Sequence, residues 1–137
     1  PLFAGWAGAM SITFVHVRVH TEYSLVDGIV RVKPLMKALA QNKMPAVAVT
    51  DQNNMYCLIK FYKAANGAGI KPICGTDIWM PGYSGAPARL TLLAMNDQGY
   101  RNLTELISLA WVEGQDHGTV VVQRDWIRTQ SAGLIAV

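Results

Sequence analysis

Residues 45–54 read PAVAVTDQNN, and the first half of that stretch decides the architecture. Ala46, Val47, Ala48, Val49 and Thr50 form a short apolar run after Pro45. Such a run is the pattern of a strand covered on both faces, and Asp51 to Asn54 then read as a polar loop. Covering layers are found on either side in sequence. Upstream, Pro34 opens PLMKALAQNKM, with Leu35, Ala38 and Leu39 at helical spacing; proline in the first turn suits a helix start. Further back, residues 14–20 (FVHVRVH) alternate Val15, Val17 and Val19 with Phe14, His16, Arg18 and His20. Period two predicts a strand with one apolar and one polar face, followed by the loop TEYSLVDG.

Downstream, residues 56–68 predict a helix with Leu58, Ile59, Tyr62 and Ala65 on one side and Gly69 as its stop. Residues 70–74 and 76–80 read as extended, interrupted by Gly75, and PGYSGAP (81–87) is a loop. LTLLAM (90–95) reads as a buried strand, after which Asn96 or Asp97 caps a helix carrying Leu103, Leu106, Ile107 and Ala110. A Gly-containing loop, a short helix around 124–128 and an apolar stretch at 133–137 complete the chain. The order β-α-β-α-β-β-α-α-β defines an α/β fold with mostly parallel strands and outer helices, either doubly wound or part of a (β/α) barrel. Functional groups then belong at the carboxyl ends of the strands. The last apolar strand is followed by no crossover helix, so the chain is expected to be an excised piece of something longer.

The composition agrees with a folded domain. Of 137 residues, 51% are hydrophobic and 15% charged, which excludes a disordered chain. Twelve Lys and Arg against nine Asp and Glu leave a net charge of +3, too mild by itself to argue for nucleic-acid binding. Residues 1–9 are expected to be an artificial leader, with Met10 as the natural start, because the apolar stretch PLFAGWAGAM lacks the basic opening of a signal peptide. No window is apolar for long enough to cross a membrane as a helix. Cys57 and Cys74 form no CxxC pair or disulfide-dense pattern, which favours a reducing cytoplasm, and both read as small core hydrophobes. No GxSxG elbow and no phosphate-cradling glycine loop occurs.

The strand ends carry an unusual set of groups: Arg18 and His20, two apart and hence on one face, then Asp27, then Asp51 and Gln52, then Asp77, with Arg89 just before the strand at Leu90. Four ordered blocks hold these residues. They are HVRVHTEYSLVDG (16–28), AVAVTDQNN (46–54), GIKPICGTD (69–77) and RLTLLAMNDQGYRNL (89–103). Together they resemble the PHP (polymerase and histidinol phosphatase) domain and, more narrowly, the amino-terminal domain of bacterial DNA polymerase III alpha subunits. The resemblance runs over residues 14–137. It implies a distorted (β/α) barrel of the PHP type, of which residues 10–137 are the amino-terminal portion, truncated at the carboxyl end.

Active members of the family bind a cluster of divalent metals and hydrolyse phosphoesters. Where their motif begins HxHT, this chain has Arg18, Val19, His20 and Thr21. The aspartate of the SxxDG segment is kept as Asp27, the histidine of TDHG is replaced by Gln52, the acidic ligand after the KPI stretch survives as Asp77, and the histidine opening the LTLLA strand is Arg89. Metals need imidazole, thiolate or carboxylate donors, and a guanidinium has no lone pair to give. Arg18 and Arg89 are therefore expected to stand in for the metal charges and to pair with Asp27, Asp51 or Asp77. No bound metal, cofactor or catalytic residue is expected in this chain.

What the resemblance implies is a non-catalytic structural and subunit-docking module of a DNA replication polymerase. Its partners would be the proofreading exonuclease subunit and other polymerase III holoenzyme subunits, with DNA met through the longer chain and no membrane. Mg²⁺ would serve the polymerase centre, a DNA-directed nucleotidyltransferase lying elsewhere. The alternative is an active metal-dependent phosphoesterase, of the 3′-5′ exonuclease type, holding Zn²⁺ or Mn²⁺. A partial barrel also leaves strand edges free, which favours self-association of the truncated chain.

Overall fold

The computed structural model describes residues 14–137; the leader expected over 1–9 and the start expected at Met10 lie outside them. Strand β1 (Ala46–Val49) is buried at all four positions, as its unbroken apolar character requires. Helix α1 (Val32–Gln41) precedes it and buries Val32, Met36 and Leu39. The helix begins two residues before Pro34, whose missing N–H lies in the first turn, where no intrahelical acceptor exists anyway. Helix α2 (Leu58–Gly67) follows β1, and Gly69 sits past its end at φ 70°, the left-handed conformation that glycine accepts freely.

Strand β2 (Lys71–Pro81) pairs with β1 in parallel, from Ala46 opposite Lys71 to Val49 opposite Cys74, which closes a β-α-β unit. It then runs on as a single strand. Gly75 does not interrupt it, contrary to the sequence expectation. A β-carbon there would stand 2.6 Å from the Leu92 carbonyl oxygen, so the glycine marks a close backbone approach rather than a break. Strand β3 (Pro87–Ala94) returns antiparallel, from Pro81 opposite Pro87 to Gly75 opposite Leu93. The few residues between β2 and β3 allow a hairpin, not a crossover.

Helix α3 (Asp97–Glu113) is capped by Asn96, whose side-chain oxygen accepts from Gly99 N–H at 2.9 Å. The expected glycine loop contains a minimal hairpin, β4 (Gln115–Asp116) and β5 (Thr119–Val120). His117 (φ 47°) and Gly118 (φ 82°) turn it, both in the left-handed region that a two-residue hairpin demands. Helix α4 (Arg124–Thr129) leads to β6 (Leu134–Ala136), antiparallel on β3.

The main sheet has the order β1-β2-β3-β6. The α/β class stands, with parallel pairing at the β1–β2 end and antiparallel pairing in the hairpin and β6. Residues 14–20 extend the parallel end: Ala48 N–H donates to His16 O (2.8 Å) and Thr50 N–H to Val19 O (2.9 Å). With one bridge, His16 to Val47, the segment is an extended edge rather than a full strand. Val19 packs on the core, but Val17 remains exposed, because no described layer covers that side of the edge.

Two cores fill the interior. One joins α1, α2 and β1 around Val47 and Phe61; the other joins α3 to β2 and β3 around Ile78, Leu92, Leu103 and Leu106. Phe61 alone contributes roughly 1.5–3 kcal/mol by leaving water. Ile59, expected on the buried side of α2, is exposed. The buried stripe runs through Phe61 and Ala65 instead, and Ile59 lies across the helix from it. Among the described residues no helix is long and apolar enough to cross a membrane.

Candidate functional site

The extended 14–20 segment, the end of β1 and the β2–β3 hairpin bring the sequence-picked groups to one place. Asp51 and Gln52 lie just past the carboxyl end of β1, and Asp77 lies in β2 just past the stretch that pairs with β1. Backbone bonds lock the two levels together: Asp77 N–H donates to Asp51 O (3.2 Å), and Asn53 N–H donates to Asp77 O (2.8 Å).

Five side chains, basic and acidic in turn, form a line. Arg18 Nε donates to Asp77 Oδ2 at 2.7 Å. His20 Nε2 is 2.8 Å from the same oxygen, and its Nδ1 is 2.9 Å from Asp27 Oδ2. Arg89 Nη1 stands 3.5 Å from that Asp27 oxygen. The Asp77 side chain is 0% exposed and Arg18 50%, so the line runs from a sealed carboxylate out to solvent. The other Asp77 oxygen accepts from Thr91 Oγ1, its cross-strand partner.

Asp51 is held differently. It is buried and accepts from Thr21 N–H (2.6 Å) and Thr21 Oγ1 (2.8 Å), one donor on each oxygen. Its described partners are therefore uncharged groups, not the arginines that the sequence offered as one choice. Burial, the Asp51 charge and a bond to Asp51 push the Cys57 thiol up to about 12, and burial pushes Cys74 to about 11. Both thiols stay protonated near neutrality, as core residues rather than nucleophiles.

Around Asp27 the network broadens. Ser24 Oγ donates to Asp27 Oδ1 at 2.6 Å and accepts from Gln52 N–H at 3.0 Å. Burial raises the Asp27 pKa, but the Ser24 bond and the His20 and Arg89 charges outweigh it and leave it below its usual 3.8. The Gln52 amide oxygen accepts from Trp79 Nε1 (2.7 Å), and its nitrogen donates to Asp27 Oδ2 (3.3 Å). The reverse orientation would gain one bond from Arg89 Nη2 (3.3 Å) but face the indole N–H with an amide nitrogen, so the first orientation is the better satisfied. Arg89 also lies over the Trp79 ring, 4.6 Å from its centroid, as its cross-strand neighbour.

The loop that presents Asp27 is tightly made. A β-carbon on Gly28 would fall 1.9 Å from the Thr21 carbonyl oxygen, so only glycine fits there. Leu25 has φ 65° and ψ −46°, and Val26 N–H donates to Ser24 O at 2.7 Å. That is a γ-turn of the rare, strained hand, which costs about 1–3 kcal/mol at a non-glycine residue. Beside it opens a cleft of about 400 Å³ lined by Leu25, Val26, Tyr56, Trp79 and Trp111 and by the polar Gln52, Asn53 and Asn54.

The structure thus joins Arg18, His20, Asp27, Gln52, Asp77 and Arg89 in one network. Thr21, Ser24, Trp79 and Thr91 belong to it too and were missed as contributors. Thr91 and Trp79 had a usable signal: counting outward symmetrically from the PGYSGAP loop pairs 77 with 91 and 79 with 89. Thr21 had none, because its partner Asp51 lies 30 positions away.

The PHP domain model matches residues 16–137, and the chain belongs to the PHP domain family. It is 62% identical over 130 residues to DNA polymerase III subunit alpha of Pseudomonas aeruginosa, covering 93% of this chain and 11% of that one. To the corresponding subunit of Escherichia coli it is 45% identical over 124 residues, with 89% and 11% covered. The chain therefore spans about 11% of the length of these relatives. Among solved structures, an amidohydrolase from Chromobacterium violaceum superimposes with a TM-score of 0.52 at 16% identity, over 67% of this chain and 32% of the other, a likeness of fold.

Proposed function

We propose that this chain is the amino-terminal PHP portion of a bacterial replicative DNA polymerase alpha subunit, in which the ancestral metal site has become a non-catalytic brace. The single observation that carries this reading is the Arg18 guanidinium, 2.7 Å from a wholly buried Asp77 carboxylate, at a position where metal binding would need an imidazole. The remaining donors fit a metal cluster poorly. Both nitrogens of His20 already face carboxylates, and Asp77 is engaged by Arg18, His20 and Thr91. Arg89 and Gln52 supply no anionic or imidazole donor. We therefore derive no hydrolytic step. Arg18 and Arg89 supply positive charge where cations would, and together with His20 they tie the 14–20 segment, the 24–28 loop and the β2–β3 hairpin together.

In this reading nucleotide transfer with Mg²⁺ takes place elsewhere in a longer cytoplasmic polypeptide, and this domain serves as a structural and docking element for the proofreading exonuclease and other replication subunits. High identity to alpha subunits over nearly the whole chain supports it. The competing reading, a metal-dependent phosphoesterase or 3′-5′ exonuclease, draws on the retained proximity of His20, Asp27 and Asp77. Calorimetric titration with Zn²⁺ and Mn²⁺, paired with a model phosphodiester assay, separates the two. The expected result is no stoichiometric binding and no metal-dependent turnover. Tight binding that disappears in His20→Ala, accompanied by turnover, overturns the proposal.

A further inference from the structure

Between Ser24 and Val30 the chain exposes bulky apolar side chains: Leu25 is 75% exposed, Val26 85% and Ile29 92%. Loops usually spend such positions on polar residues, and an exposed apolar cluster of this kind marks a contact surface. This loop is also held in shape. Ser24 and His20 grip Asp27, Glu22 N–H donates to Val30 O (2.9 Å), Gly28 leaves no room against the Thr21 carbonyl, and Leu25 sits at the centre of the strained γ-turn. The exposure therefore belongs to a rigid display. A strained backbone held by its surroundings is found where position matters to function.

The display is continuous with the aromatic cleft, since Leu25 and Val26 form part of its wall beside Tyr56, Trp79 and Trp111. Asp27, the charged residue within the loop, is taken up by His20, Ser24 and Arg89, and Arg89 lies over the Trp79 ring, while Arg31 just past the loop stays exposed. The side-chain N–H groups of both tryptophans are spent within the domain, Trp79 on Gln52 and Trp111 on the Asn53 carbonyl oxygen (2.8 Å). What remains to meet a partner is mainly apolar surface, edged by the polar Asn53, Asn54 and Thr119 of the cleft and by Arg31, so the matching partner is a largely apolar protein segment rather than a charged ligand. Most of the polypeptide in the curated relatives lies outside the matched 11%, and the superimposed barrel extends well beyond the 32% that this chain covers.

We infer that the 25–30 loop and the Trp79–Trp111 cleft form an intramolecular docking face, covered by an apolar segment of the same polymerase polypeptide. This rests on the reading under Proposed function. The test uses the full-length alpha subunit that carries this sequence, with Val26→Cys and Ile29→Cys made singly. Each is pulsed with N-ethylmaleimide, and modification at that position is read by peptide mass spectrometry. The reference rate is that of the same variant unfolded in urea. The expected result is labelling at both positions at least tenfold slower in the folded chain, at a rate independent of protein concentration. Protection below tenfold on a chain that still extends a primed template removes the docking face and leaves the polymerase reading intact. Protection that fades on dilution assigns the face to a second copy instead and also overturns the inference. A folded full-length chain that extends no primer removes the polymerase reading and this inference with it.

Discussion

Asp51 and Asp77 are neighbours joined through their backbones, and both are sealed from water, yet opposite means hold them. Asp51 is satisfied by uncharged groups, the N–H and hydroxyl of Thr21 and the Cys57 thiol. Asp77 is satisfied by Arg18 and His20, which are tied in turn to the outside through Asp27 and Arg89, and by the Thr91 hydroxyl. Asp51 links two stretches of chain through a short local clamp. Asp77 is the buried member of a chain of basic and acidic groups that reaches solvent at Arg18. A buried carboxylate can be made tolerable either way, but only the second way spreads the consequence of one substitution across three elements.

The sharpest break of this contrast is Asp77→Ala. It strips the partner from Arg18, His20 and Thr91 at once and is expected to lower the unfolding free energy by about 3–5 kcal/mol in urea denaturation; a loss under about 1 kcal/mol would make the network ornamental. Next is Asp51→Asn, which keeps the shape but turns an amide N–H₂ toward a donor of Thr21. A loss of about 1–3 kcal/mol is expected, insensitive to salt. Arg18→Met comes third. Because Arg18 is half-exposed, its screened contribution is about 1 kcal/mol or less, and the difference from the parent protein should shrink toward zero in 1 M salt by the same denaturation measurement.

The smallest effect belongs to Asp27 and appears only in acid. Its folded-state pKa lies below the usual 3.8, so the folded state favours the ionised form. Its contribution is fully present above the unfolded-state value and is lost as the pH falls through the lower folded-state value. Stability curves followed from about pH 5 down to about pH 2 should therefore fall less steeply in Asp27→Asn than in the parent protein. Identical acid limbs would show that Asp27 takes no part in the network.

Much of this was legible beforehand, and the limits of that legibility are physical. The run at 46–50 suited a doubly covered strand, and Asn96 or Asp97 and Gly69 announced a helix start and stop through local hydrogen bonding and backbone freedom, Asn96 proving to be the cap. Gly75 misled because a glycine in a strand has two meanings, a break or a close approach, and the choice depends on what passes nearby, here the Leu92 carbonyl. Ile59 misled because a ten-residue helix rich in apolar side chains offers more than one plausible buried stripe.

The site divides in the same manner. That a guanidinium cannot donate a lone pair follows from residue identity, and so does the unsuitability of positions 18 and 89 for metal binding. Which carboxylate each arginine meets, and that Asp51 goes to a threonine, depended on hairpin register and on the packing of segments 30 to 60 positions apart. Chemistry is carried by each side chain wherever it sits, whereas partnership is a matter of distance, and distances exist only once the chain has folded.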